Sequence, residues 1–404
     1  MYKNKNRKPA RSKLTTLSQI CNLIPPHLVS KLATQTGVAS KARSFSPWSH
    51  VVSLLYAHLT HAIGLNDVCD SLQLHSGPLS GIRGATPPSR NGLSHANKHR
   101  NPELAQELFW KMLDHLKGLN PSFGGGRLPR PLRRFARSIH VIDSTTIELV
   151  AHCMDWAKHR RRKAAAKTHM RLNLQSFLPS CVIIDPARHA DAKRAQELCA
   201  GLKSGEIVIF DKAYNHWDHL HNLGERGVYW VGREKKGAAF ELLSRREVSG
   251  DVHFDEEILI DGRIHARRIE AEVLVDGKWA MMTFITNNLQ WSAKTICELY
   301  KARWAIEVFF KQIKQTLNLS DFLGHSAKAV RWQIWTALLV YVLLRFLAHV
   351  HGWNHSFVRL LTVLRAAVWS RFDLVSLLKL YGTAGGCFRH LACPQSAYFP
   401  GFEP

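Results

Sequence analysis

The sequence predicts an α/β core with a β-rich insertion, preceded by an all-helical segment and followed by a helical region. Three observations predict it. Up to about residue 118, and again from 292 to about 380, apolar residues recur at three- and four-residue spacing, the period of helices that bury one face. Between these stretches, "SIHVIDSTTIELV" (138–150), "FLPSCVIIDP" (177–186) and "GEIVIFD" (205–211) are rich in β-branched residues and apolar on both faces, as strands covered from both sides require. From 227 to 290 the segments shorten and alternate, and Asp261-Gly262 and Asp276-Gly277 punctuate them as hairpin turns do.

In chain order, residues 1–13 form a basic arm, "MYKNKNRKPARSK". Residues 14–119 form a helical N-terminal domain, expected to bind DNA, in which "WSHVVSLLYAHLTHAI" and "PELAQELFWKMLDHLKGL" carry the helical period. Ser89 is placed to cap a short helix between them. Basic tips on such a module suit docking to DNA, and plain scaffolding suits the pattern equally. "NPSFGGGRLPRPLRR" reads as a Gly/Pro/Arg linker over 120–134. The first part of the α/β core follows over 135–226, with "AKRAQELCAGL" as a helix. The insertion covers 227–290, the second part of the core 291–350, and a helical C-terminal region 351–404. "IWTALLVYVLL" (334–344) is about half a membrane span and is followed by Arg345, so a buried core helix is expected.

Charge narrows the function. Of 404 residues, 55 are Lys or Arg and 31 are Asp or Glu, a net charge of +24 that calls for a polyanionic partner, nucleic acid before an anionic membrane. No apolar run follows the basic N-terminus, so no secretory signal is read there. The eight cysteines form no CxxC pair, which points to reduced thiols in a cytoplasmic protein.

Two strands carry a carboxylate: Asp143 in "HVIDST" and Asp211 in "VIFDKAY". Aspartate is a poor strand residue and costly to bury without a partner or a metal. Asp211 could also cap the turn after its strand. A third carboxylate lies in "YKARWAIEVFFKQIK" (300–314). At about 100° per residue, Tyr300, Arg303, Glu307 and Lys314 share a face about 60° wide beside the stripe of Ile306, Phe309, Phe310 and Ile313. That face is either solvated surface or one wall of an active site. Two strand aspartates and one helix glutamate could hold two divalent ions about 4 Å apart for phosphoryl transfer. Hard oxygen ligands select Mg²⁺ or Mn²⁺ over zinc. Arg303 as a fork and Lys314 as a point charge could then hold DNA phosphates beside the metals.

The spacing Tyr300-x2-Arg303-x3-Glu307-x6-Lys314 resembles the Tyr-Arg-Glu-Lys signature of bacterial insertion-sequence transposases of the insertion-sequence-four type, which are DDE enzymes with a ribonuclease-H-like core. "FSPWSHVVSLLYAHLTHAIGLNDVCDSL", "HVIDSTTIEL", "KAAAKTHMRLN" and "VIFDKAY" are similar to the family's helical opening, first-aspartate strand, next strand and second-aspartate strand. The interval from Asp211 to Glu307 is long enough for the β-rich insertion this type places there. The resemblance implies that Asp143, Asp211 and Glu307 are catalytic metal ligands, and that Tyr300, Arg303 and Lys314 contact phosphates near the transposon end. It implies Trp279 in "KWAMMTFITNN" as a stacking platform for a flipped base, although a core tryptophan fits that position as well. Arg233, Lys167 and His169 are implied DNA contacts. Ala213 stands where relatives often have Gly, which is tolerable if the backbone there is not left-handed.

The reaction implied is cut-and-paste transposition: binding of inverted-repeat ends, metal-dependent cleavage and strand transfer to target DNA by a homodimer at the nucleoid. A domesticated or inactive transposase acting as a DNA-binding protein, or a ribonuclease-H-fold nuclease without strand transfer, would share most of these residues.

Overall fold

A computed structural model describes residues 8–38, 45–125, 128, 130–149, 158–160, 163–186, 192–235, 237–275, 278–317, 319 and 322–381. Most of the basic arm, the turn at Asp276-Gly277 and the last part of the C-terminal region lie outside these residues. The chain opens with helices α1 (Thr16–Cys21), α2 (Leu28–Gln35), α3 (Pro47–Thr60), α4 (Leu65–Leu74), α5 (Ser76–Ser80), α6 (Arg90–His99) and α7 (Glu103–Leu119). Strands β1 (Ile139–Leu149), β2 (Lys158–Arg160), β3 (Lys163–Asn173) and β4 (Leu178–Pro186) follow, then α8 (Ala192–Cys199), β5 (Ile207–Phe210), α9 (Trp217–Glu225) and β6 (Tyr229–Arg233). Next come β7 (Phe240–Arg245), β8 (Val252–Ile260), β9 (Ile264–Val275) and β10 (Lys278–Thr286). Helices α10 (Ala293–Lys301), α11 (Trp304–Thr316), α12 (Ala327–Val350), α13 (Phe357–Ala366) and α14 (Leu374–Leu380) complete the described order.

The chain divides into two compact units. The first comprises the described residues within Met1–Phe123, Glu148–Ala164 and Lys311–Ala392. Its helices begin where the sequence supplies caps. The hydroxyl oxygens of Ser46, Ser89, Ser326 and Ser356 accept backbone N–H bonds at the starts of α3, α6, α12 and α13, which satisfies donors that a helix start leaves open. Helix α12 is the axis of this unit and packs on α3, α6 and α7. By length and composition it could cross a membrane. Instead its side chains are buried on nearly all sides, Trp332 and Tyr341 completely, as the short apolar run at 334–344 leads one to expect.

The second unit comprises the described residues within Gly124–Ile147 and Ala165–Phe310 and holds most of one mixed sheet. From β3 the strand order runs β3-β1-β5-β6-β10-β9-β8-β7, with β4 on the outer side of β3. β1, β5 and β6 are parallel, joined through crossovers that contain α8 and α9; β4 is antiparallel to β3, and β6 through β10 pair antiparallel. The hairpin β8–β9 turns at Asp261 and Gly262 with φ of 54° and 65°, the positive values that Asp-Gly tolerates. Within the insertion, Arg267 and Asp255 form a buried ion pair, and the same guanidinium donates to the Trp291 carbonyl.

Register places the strand carboxylates. Ile142 lies opposite Phe210 in the β1–β5 ladder, so Asp143 and Asp211 are the next residues on adjacent parallel strands. Ile142 and Phe210 point into a core with Leu198, Leu220 and Trp230, on the side covered by α8 and α9. Strand alternation then sends Asp143 and Asp211 to the opposite side, the side that α10 and the start of α11 cover. Phe210 also needs room: a Cβ on its partner Gly232 would lie 2.8 Å from the Phe210 ring, so glycine permits the strands to approach beside Asp211.

Candidate active site

The stretch 300–314, expected as one helix, is two. α10 ends at Lys301 and α11 begins at Trp304. Between them Arg303 and Ala305 donate to carbonyls three residues back, those of Tyr300 and Ala302, which tightens the chain into a 3₁₀-like turn. Periodicity alone could not show this break, because the apolar stripe continues across it. Ile306 and Phe309 remain fully buried, and Phe309 meets Phe177 edge-on, with ring centroids 5.9 Å apart.

The turn brings Tyr300, Arg303 and Glu307 to the aspartates. Arg303 donates from Nη1 to Asp143 Oδ2 at 3.0 Å and pairs through Nη2 with Glu307 Oε1 at 2.6 Å. Asp143 Oδ1 accepts the Ser144 backbone N–H at 2.7 Å. The Tyr300 hydroxyl donates to Asp211 Oδ1 at 3.3 Å, and its ring packs on Phe284 at 4.8 Å. Arg303 is 13% and Asp143 20% exposed, so their contact operates with little solvent screening, while Glu307 at 35% is screened more.

Burial pushes the Asp143 carboxyl up to about 6; Arg303 and the Ser144 N–H oppose the rise, while Glu307 and Asp211 add to it. Asp143 is thus close enough to feel both of the other carboxylates. Burial pulls against the Arg303 charge, but Tyr300, Glu307 and Asp143 outweigh it and the guanidinium is held more firmly protonated. Burial raises the Tyr300 phenol to about 12, with Arg303 opposing and Asp211 adding, so it stays a hydrogen-bond donor.

The remaining sequence-derived candidates are placed differently. Arg233 ends β6 within electrostatic reach of Tyr300. Lys314 sits in the last turn of α11, half-buried; burial lowers its pKa and Glu148 opposes that. Trp279 is 61% exposed on β10, so it is not the core tryptophan that its composition allowed. Lys167 is half-buried on β3. His169, on the same strand, is fully buried with its ring 3.9 Å from Asp185, so in this arrangement it does not face a ligand in solvent. Ala213 lies in the right-handed 3₁₀ turn Lys212–Tyr214, where alanine fits. Two contacts were missed in the sequence. The Ser144 N–H leaves no sequence signal. The Arg303–Glu307 pair was visible in its i,i+4 spacing.

The family model for the transposase DDE domain matches residues 134–343. The chain belongs to the DDE transposase family. A second model, for a domain of unknown function, matches residues 12–82 of this transposase. Of its relatives, "Putative transposase y4zB" of Sinorhizobium fredii is 29% identical over 72% of this chain and 80% of its own length. "Probable transposase for insertion sequence element IS5377" of Geobacillus stearothermophilus is 27% identical over 55% of this chain and 59% of its own. "Transposase InsG for insertion sequence element IS4" of Escherichia coli is 25% identical over 43% of this chain and 42% of its own. This chain is therefore a DNA transposase, an enzyme on a mixed α/β fold, and its relatives include a transposase of an insertion-sequence-four element.

The transposase's three carboxylates offer oxygen ligands only, which suits a hard divalent cation. Their mutual repulsion at Asp143 is the burden such a cation relieves. The donor set fits. The three are not drawn to ligating distance of a common point, and the Arg303 guanidinium bridges two of them.

Proposed function

We propose that this transposase binds the inverted-repeat ends of its element and carries out cut-and-paste transposition with Asp143, Asp211 and Glu307 as the catalytic metal ligands. The observation that carries the reading is that two register-matched aspartates meet a helix glutamate on one side of the sheet. The strand order, with β1, β5 and β6 parallel and β3 and β4 antiparallel beside them, supports a ribonuclease-H-like core.

In this reading the triad holds two Mg²⁺ or Mn²⁺ ions. When bound, they supply charge stabilisation to the attacking and leaving oxygens of an in-line displacement. Asp143 and Asp211 are fixed by the parallel ladder, and Glu307 by the seating of Ile306 and Phe309, so none of the three needs to be ordered by DNA. Tyr300 orients Asp211 through its hydroxyl. Arg303, Lys314 and Arg233 offer positive charge to the phosphates flanking the scissile bond. Lys167 is a further contact, and exposed Trp279 is a platform for an unpaired base. Residues 14–119 would bind the ends, and a homodimer would pair two of them at the nucleoid. The net charge of +24 supplies the sequence-independent attraction.

The test is cleavage of duplexes that carry the element's ends by full-length protein in Mg²⁺. Asp143→Asn and Glu307→Gln are expected to bind the ends at least as tightly as wild type when EDTA removes the metal, and in Mg²⁺ to lose cleavage by at least about a thousandfold. Cleavage by either variant at the wild-type rate sinks the triad assignment. Joined products with a target plasmid distinguish a transposase from a nuclease that only cuts.

A further inference from the structure

Arg303 does more at this site than wait for DNA. One guanidinium spans two carboxylates, Asp143 Oδ2 at 3.0 Å and Glu307 Oε1 at 2.6 Å. With the Ser144 N–H on Oδ1, both Asp143 oxygens already accept a donor. A divalent cation on those oxygens would sit beside the guanidinium, like charge against like, in a place with little solvent to screen them. The ion pair and a fully ligated cation therefore compete for the same carboxylates. Arg303 is also well placed to leave. It lies in the tightened turn between α10 and α11, not inside a helix, so its side chain can swing without unwinding either. A phosphate diester is the anion whose oxygens match the same two-pronged donor.

We propose that Arg303 is a built-in counter-ion that keeps Asp143 and Glu307 closed against metal until a DNA phosphate takes the guanidinium. This rests on the triad reading above and adds to it: DNA binding and metal loading become coupled through one side chain. Because such coupling is reciprocal, metal tightens DNA binding by the same factor by which DNA tightens metal binding. Premature metal loading, and cutting away from the ends, are thereby suppressed.

The experiment is a Mn²⁺ titration of full-length protein without DNA, read by electron paramagnetic resonance of the free ion, on wild type, Arg303→Gln and Arg303→Lys. Circular dichroism checks that each is folded. Arg303→Gln is expected to bind Mn²⁺ at least about tenfold tighter than wild type, the worth of roughly one charge-assisted hydrogen bond. Arg303→Lys keeps the charge but cannot fork across two carboxylates, so it is also expected to bind more tightly, by a smaller factor. If Arg303 merely braced the carboxylates for metal, both variants would bind more weakly. Binding equal to or weaker than wild type in the folded variants overturns the counter-ion role. Should Arg303→Gln not fold, the lysine variant decides by the same criterion. Asp143→Asn in the Arg303→Gln background separates the two levels: if it leaves the Mn²⁺ affinity of Arg303→Gln untouched, the triad reading has failed, not merely the role of Arg303.

Discussion

Asp143→Asn is expected to stabilise the protein as it inactivates it, and the gain is expected to depend on pH. The Asp143 carboxyl is raised from its ordinary 3.8 to about 6, first by burial and then by Glu307 and Asp211. Each factor of ten in proton affinity is worth about 1.4 kcal/mol, so ionising this group weighs on the folded state by about 3 kcal/mol. The sign follows from linkage. The folded chain holds this proton more tightly than the unfolded chain. The stability it contributes is therefore present below the unfolded value of 3.8 and is lost as pH rises through about 6. Asparagine keeps the shape and has no proton to lose. Between pH 4.5 and 7.5 the stability of the variant relative to wild type should thus grow by about 2 kcal/mol, most of the full span. The assay is urea unfolding of both proteins with EDTA present, followed by tryptophan fluorescence at several pH values. Denaturation midpoints that run parallel across this range would refute the buried, carboxylate-crowded environment assigned to Asp143.

Trp279→Ala removes an exposed ring from β10, so melting should shift by no more than about 0.5 kcal/mol. Affinity for end duplexes with an unpaired base should fall by about 1–3 kcal/mol in a gel-shift titration, and equal loss on fully paired duplex would argue against a stacking platform. Asp255→Ala leaves the Arg267 charge buried without its partner and should destabilise the protein by about 3–5 kcal/mol in urea unfolding. Replacing both by apolar residues, Asp255→Leu with Arg267→Met, should recover most of that loss. Failure to recover would mean that the pair's other hydrogen bond, from Arg267 to the Trp291 carbonyl, is what holds the insertion to the chain before α10.

The sequence by itself determined what periodicity and composition can carry. The helices that flank a strand-rich centre follow from apolar spacing, and the start of α6 at Ser89 from local capping chemistry. The polyanionic partner follows from net charge. Asp143 and Asp211 stood out because an aspartate in an apolar strand is costly without a reason. The pattern could not say which side those aspartates face, because a run that is apolar on both sides looks the same in either orientation. Only the parallel register of Ile142 with Phe210, and the core those two residues enter, turned both carboxylates toward α10 and the start of α11. Nor could it separate the exposed Trp279 from a core tryptophan, or find His169 buried, since burial depends on strands distant in sequence. The same holds for Arg303. Its spacing from Glu307 was visible, and a phosphate contact was the natural reading of a cation in a basic protein. That it spans Asp143 and Glu307 depends on a break between two helices whose apolar stripe never breaks, and on a chain that folds back to the sheet across a separation of 160 residues.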